Sequence, residues 1–286
     1  MAVYNLGSIN IDHVYRVPHL PAAGETLAAT GYAMGLGGKG ANQSVAAARA
    51  GARTLHIGAV GPEGAWAREA LAAYGVDVSH VLRSTKPTGH AIINVDPAAE
   101  NSIVIYPGAN QTLAAAAIGT ALAGAGAADI LLLQNETSGT VEAARLAAAL
   151  GLRVIYSAAP FDLAAVRAVL PHVSLLVMNE IEAAQLRAGL GRMPDMDVIV
   201  TKGARGAEWI SAGSEPLFTP SFTVIPVDTT GAGDCFIGTL AAALDAWLAP
   251  RPAMHRAAAA AALQVTRHGA AQAMPSAAEV DAFLQG

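Results

Sequence analysis

Residues 222–248 read FTVIPVDTTGAGDCFIGTLAAALDAWL. The run Phe222 to Val227 is apolar and extended in character, and Phe236 to Leu248 is an apolar helix. Between them lies Asp228-Thr229-Thr230-Gly231-Ala232-Gly233-Asp234. An extended segment, a glycine turn and a helix in that order suggest one unit of an α/β fold. The glycines let the backbone turn sharply, and successive N–H groups of Gly231, Ala232 and Gly233 converge on one hollow. The positive end of the following helix dipole adds to it, so the turn binds an anion without needing lysine. Asp234 stands at the helix start, where a carboxylate can simply cap the helix. A cap does not explain the Gly-Ala-Gly nest directly before it, and Asp234 is therefore the first candidate for chemistry.

Outward from this unit the alternation continues. Strands are expected at Val3–Ile9, Thr54–Val60, Asp129–Gln134, Val154–Ser157, Leu175–Met178 and Val198–Thr201, with helices at Gly38–Arg49 and Gly64–Tyr74 and Ala-rich helices later. The later strands end at or near Glu136, Ser157, Asn179 and Thr201, and open α/β sheets bind ligands at the carboxyl ends of their strands. Two stretches break the rhythm. Asp12–Leu36 carries Pro18, Pro21 and Gly24 without a helical period. Gly89–Val95 and Ser102–Tyr106 read as a hairpin around Asp96–Asn101. Together they predict a small sheet projecting from one domain spanning 1–286, with inserted segments at about 12–36 and 89–107.

Composition excludes several classes. The hydrophobic fraction is 53% and the mean hydropathy +0.40, but much of that is alanine, which also suits helix surfaces. The best membrane candidate, Thr112–Ala128, is Ala- and Gly-rich and at or below the ~20 residues that span a bilayer. One cysteine, Cys235, excludes an internal disulfide framework and a cysteine zinc cluster. A net charge of −5 without a basic run excludes a nucleic-acid stripe. The start MAVYNLGSIN has no signal-peptide pattern, and a cytoplasmic enzyme is expected.

A second glycine-rich motif is Gly37-Gly38-Lys39-Gly40-Ala41-Asn42-Gln43. Its glycines suit close backbone approach to a ligand, and Asn42 offers both donor and acceptor to hydroxyls. Two familiar patterns fail here. Gly35-x-Gly37-x-x-Gly40 matches the dinucleotide letters but follows no clear parallel strand and lacks the later acidic residue. A P-loop requires Gly at 33 and Ser or Thr at 40, where Ala33 and Gly40 stand.

The pair GGKGANQ and DTTGAGD resembles the two signatures of the ribokinase-like sugar kinases, the PfkB family. The resemblance runs through GSINIDHV (7–14), LPAAGET (20–26), PGAN (107–110), NEIEA (179–183), VTKGARGA (200–207) and VTRHGA (265–270). GSINIDHV and PGAN are most similar to the ribokinases within that family. The resemblance implies a three-layer α/β/α fold with a mostly parallel central sheet and a small β-sheet lid. It also implies roles by position. Asn10, Asp12, Gly38, Lys39, Asn42 and Glu136 would bind sugar. Asn179 and Glu182 would serve the nucleotide phosphates and magnesium, and Thr201, Gly203 and Gly206 the nucleotide-side turn. Asp228 and Thr230, with carbonyls near Gln264, Arg267 and Gly269, would hold an activating monovalent cation, potassium. The chain departs from the pattern at Ser157-Ala158-Ala159-Pro160, where ribokinases often read Asn-Pro-Ala-Pro, and at Ala273, where many carry serine.

The reaction so implied is phosphoryl transfer from ATP to a sugar hydroxymethyl group, the 5-hydroxyl of ribose first among candidates. Asp234 would be the base, and Gly231, Ala232 and Gly233 would stabilise the transferring phosphoryl group. Paired lids between subunits would make a homodimer. Two alternatives stay open at this point: a kinase for a nucleoside or fructose, and a non-catalytic sugar or nucleotide sensor on the same fold. An intact Asp234 counts against the sensor.

Overall fold

In the computed structural model, which describes residues 1–98 and 100–286, the central strands are mostly apolar and buried almost throughout because both of their faces are covered. They are β1 (Val3–Leu6), followed after the small sheet's first strands β2 (Asn10–Arg16) and β3 (Gly31–Gly37) and helix α1 (Lys39–Arg49) by β4 (Thr54–Val60). Next come α2 (Ala65–Ala73), β5 (Val81–Arg83), β6 (Gly89–Val95), β7 (Asn101–Tyr106), α3 (Ala115–Leu122), β8 (Ile130–Leu133), α4 (Thr140–Ala149) and β9 (Arg153–Ser157). The chain ends with α5 (Leu163–Val169), β10 (Leu175–Asn179), α6 (Glu180–Leu190), β11 (Asp197–Thr201), β12 (Ala207–Ile210), β13 (Leu217–Thr219), α7 (Ala232–Asp245), α8 (Pro250–Gln264) and α9 (Ala277–Gln285).

The nine-stranded sheet has the order β13-β12-β11-β10-β9-β8-β1-β4-β5. It is parallel from β5 to β11, and β12 and β13 add antiparallel at one edge. Strand order reverses between β1 and β8, and such a switch point leaves a crevice at the carboxyl ends of the two strands. Alternate residues feed the two flanking layers. Leu131 and Leu133 pack with α3, α4 and α6 residues such as Ile118, Ala144 and Leu186. Ile130 and Leu132 pack with α7 and α8 residues such as Leu240 and Met254. Each such fully buried side chain contributes about 1.5–3 kcal/mol. A third cluster joins α1, α2, α8 and α9 near β4.

Several boundaries differ from expectation for local reasons. β1 stops at Leu6 rather than running to Ile9, because the chain turns at Gly7, which packs directly on the Gly40 backbone at the start of α1. Phe222–Val227 is extended but joins no sheet. Pro226 has no N–H to donate, and the N–H groups of Val227 and Asp228 go to the Val265 carbonyl at 2.7 and 3.1 Å. Within Thr112–Ala128 only Ala115–Leu122 is helical, with Ile118 and Leu122 buried beneath the sheet. Among the described residues no helix is long and apolar enough to cross a membrane.

The second sheet has the order β3-β2-β6-β7. It is built from the two segments that interrupt the α/β rhythm, joined by the parallel pair β2–β6. The turn between β6 and β7 includes Ala99, which lies outside the described residues. On β2, Asp12 stands level with Gly35 and Ala91, small residues that leave its carboxylate room.

Candidate active site

The crevice at the switch point is walled by the loop after β1, the loop after β8 and the start of α7. α7 reaches it because Gly238 lets α1 cross closely; a Cβ at that position would run into the Gln43 carbonyl. Asp234 lies in the first turn of α7 and is only 8% exposed. The helix cap is Gly231, at φ 81°, so Asp234 is not a cap. Its carboxylate instead crosses to α1. Oδ2 accepts from the Asn42 amide and Oδ1 from the Gln43 amide, both at 3.0 Å. Burial raises its pKa, and the Lys39 charge and these two donors partly offset that. A base held by two donors and poised above the ordinary carboxylate range suits proton abstraction.

Behind Asp234 runs a buried line of amides. Gln43 Oε1 accepts from Gln134 Nε2 at 2.7 Å, and Gln134 Nε2 also donates to Asn5 Oδ1 at 3.0 Å. Asn5 donates to the Gly40 carbonyl at 2.8 Å and to Ser44 at 2.9 Å. The Gly40 carbonyl only accepts, so it fixes the direction of the whole line and leaves Gln43 an N–H to give Asp234. Sequence reasoning assigned no role to Gln43 or Gln134; their signal was that Gln43 directly follows Asn42 and Gln134 lies two residues before Glu136.

The structure gathers four of the residues expected to bind sugar, Asn10, Asp12, Asn42 and Glu136, around the crevice. Burial first, and Glu136 second, push the Asp12 carboxyl up to about 6. Gly37 packs directly on that carboxylate, and a Cβ there would overlap it. Glu136 accepts from the Ser8 hydroxyl and, at 3.1 Å, from the Lys39 backbone N–H. Gly38 at φ 91° makes the turn that aims that N–H. Asn110 of PGAN ties the hinge of the small sheet, donating to Asn10 Oδ1 at 2.8 Å and accepting from Ile9 N–H at 3.0 Å. Asn42 Oδ1 is buried without a partner, an acceptor suited to a hydroxyl. The Lys39 side chain, expected with the sugar, also reaches the other compartment: Asp234, then Glu136 and Glu182, raise its pKa.

That compartment is a cavity of about 180 Å³ lined by Lys39, Asn179, Glu182, Thr201 and the turn Gly231–Asp234. Asn179 and Glu182 form a capping box on α6, with bonds of 2.9 and 2.8 Å. The box uses Glu182 Oε2 and leaves Oε1 outside it. Burial raises the Glu182 pKa despite the Asn179 N–H, and the carboxylate oxygen outside the box is the hard ligand type that a divalent cation takes. Gly203 and Gly206, at φ 56° and 99°, shape the turn between β11 and β12 and do not line the cavity. Within the nest, Ala232 N–H is spent on the Thr229 carbonyl at 3.2 Å. The N–H groups of Gly233 and Asp234 have no protein acceptor among the described residues.

The residues expected to hold a monovalent cation come together, but not around an ion. Asp228 accepts from the N–H groups of Thr230 and Gly269, both at 2.9 Å, and these hold its pKa down against burial. The Thr230 and Gly269 carbonyls accept from the Gln264 side chain at 2.8 and 3.0 Å. The Gln264 carbonyl takes the Arg267 N–H at 3.1 Å, and Ala273 offers no side-chain oxygen. The set does not fit a cation, because an amide already occupies the oxygens.

The sequence matches the pfkB family of carbohydrate kinases over residues 3–277. It is 35% identical to ribokinase of Haemophilus influenzae over 300 residues, covering 98% of this chain and 97% of that one. The fold matches Thermotoga maritima ribokinase with a TM-score of 0.88 at 32% identity, covering 100% of both chains. It matches Arabidopsis thaliana ribokinase complexed with ribose and ATP with a TM-score of 0.86 at 27% identity, again covering 100% of both.

Proposed function

The chain belongs to the pfkB family of carbohydrate kinases, and from that premise we propose that it transfers the γ-phosphoryl group of ATP to the 5-hydroxyl of ribose. The observation that carries this reading is Asp234, a buried carboxylate held by Asn42 and Gln43 between a crevice lined by carboxylates and side-chain amides and a cavity walled by the turn Gly231–Asp234. Asp12, Asn10, Glu136 and the free Oδ1 of Asn42 bind and orient the sugar hydroxyls. Asp234 takes the proton as the hydroxyl oxygen attacks, which typically contributes 10²–10⁴-fold. The Gly231 and Gly233 amides and Lys39 stabilise charge on the phosphoryl group in flight. Magnesium, when bound, offsets phosphate charge, and Glu182 and Asn179 are the residues to hold it. The small sheet covers the sugar and excludes water that would otherwise hydrolyse ATP.

We further propose a homodimer through the small sheet. Ile103, Val104, Ile105 and Tyr106 of β7, with Tyr32 and Met34 of β3, are exposed there, and a second copy would cover them. Light scattering of the eluting protein tests it. Both the ATP requirement and the lone buried thiol Cys235 support a cytoplasmic enzyme. The substrate assignment is tested by coupled ADP release across ribose, deoxyribose, fructose, adenosine and other nucleosides. Ribose should give the highest kcat/KM. A nucleoside or ketohexose preferred by about tenfold, worth 1.4 kcal/mol of transition-state binding, would overturn ribose and leave the kinase standing.

A further inference from the structure

We propose that the Gln264 side chain takes the place of a monovalent cation in this chain, so that the enzyme turns over without potassium. Gln264 ends α8 and is fully buried, at 0% exposure. Its Nε2 has two hydrogens, and each meets one carbonyl: Thr230 at 2.8 Å and Gly269 at 3.0 Å. Asp228 closes the opposite side by accepting from the N–H groups of the same two residues, at 2.9 Å each. The Asp228–Gly269 bond thus joins the two segments directly, Gln264 bridges them through its two N–H groups, and the Asp228–Thr230 bond closes the nest loop on itself. A cation and the amide would compete for the same carbonyl oxygens, because both present positive charge to them. Gln264 holds this orientation although its Oε1 is buried without a partner. A residue that only filled space would need no amide here.

The tie reaches the chemistry through one rigid unit. The Thr230 carbonyl and the Gly231 N–H share a planar peptide group and point in opposite directions. Pinning the oxygen therefore aims the Gly231 N–H of the nest. A mobile ion does this only when bound, whereas a tethered neutral amide does it at any salt concentration. The proposal rests on the reading of residues 231–234 as a phosphoryl-binding turn.

The test compares wild type with Gln264→Ala in potassium, sodium and tetramethylammonium chloride at fixed ionic strength and saturating magnesium. Wild-type turnover should agree across the three salts within about twofold. Gln264→Ala should lose about tenfold in tetramethylammonium, the effect of one or two lost hydrogen bonds on the nest, and recover in potassium. Potassium should also raise the melting temperature of the variant and leave that of wild type unchanged, since only a bound ligand stabilises the folded state. Wild type accelerated several-fold by potassium overturns the proposal, as does a folded variant active in all three salts. Should the variant not fold, the wild-type salt response decides. If wild type phosphorylates no sugar, the functional reading fails, and the melting shifts still decide the role of Gln264.

Discussion

Replacing Asp234 by asparagine separates the chemistry of this site from its architecture. The carboxylate receives one N–H from Asn42 and one from Gln43. The amide that Asp234→Asn introduces has a single acceptor oxygen and a donor. Gln43 cannot turn to meet that donor, because Gln134 and the Gly40 carbonyl fix its direction. Asn42 can, since its Oδ1 is without a partner. The variant should therefore fold with the oxygen of the introduced amide toward Gln43 and its nitrogen toward a turned Asn42. The lost charge-assisted bonds cost about 1–2 kcal/mol, and removing a buried charge offsets part of that. For a chain of this size the melting temperature should move by less than about 5 °C. Turnover should fall ~10²–10⁴-fold, about 3–5 kcal/mol of barrier. Calorimetric titration should show an ATP affinity close to wild type and a sugar affinity weakened by no more than about tenfold, the one hydrogen bond that the turned Asn42 withdraws. A folded variant whose turnover stays within about threefold of wild type, far short of a lost base, would refute the assignment.

Asp12→Asn should stabilise the free protein at pH 8 by up to about 3 kcal/mol, because a carboxyl raised from 3.8 to about 6 is ionised there at a cost. The sign follows from the raised folded value: acid stabilises wild type between about 6 and 3.8. The advantage of the variant should thus shrink to nothing near pH 4 in denaturant titrations, and a constant difference with pH would contradict it. Gln43→Met should lower kcat about tenfold with little change in sugar KM, since one of two donors to the base is lost; unchanged kcat in a folded variant would show that Asn42 alone holds Asp234. Gly40→Ala should cost at least about 1–3 kcal/mol of stability, because its Cβ would press on the Gly7 backbone. Wild-type melting behaviour would show that the two loops part easily.

The α/β alternation was legible because it rests on local rules. ILLL at 130–133 and LLVM at 175–178 are buried on both faces, and only strands sandwiched between layers need such runs. The glycine nest and Asp234 were legible for the same reason, as seven contiguous residues contain the turn, the anion site and the base. The edge strands β12 and β13 escaped notice, being four and three residues long and without a clear pattern of their own.

What the tertiary structure alone decided are pairings between distant residues. Asn42 and Gln43 meet Asp234 across 192 and 191 positions, and the parallel pair β2–β6 turns two unpatterned segments into one sheet. No local propensity encodes such meetings; they follow from where α1 crosses α7 and where the sheet switches direction. Gln264 is the sharpest case. Its sequence neighbours resemble those of a cation site, yet an amide bonds to whichever carbonyls lie within 3 Å of it, and folding brought Thr230 and Gly269 there.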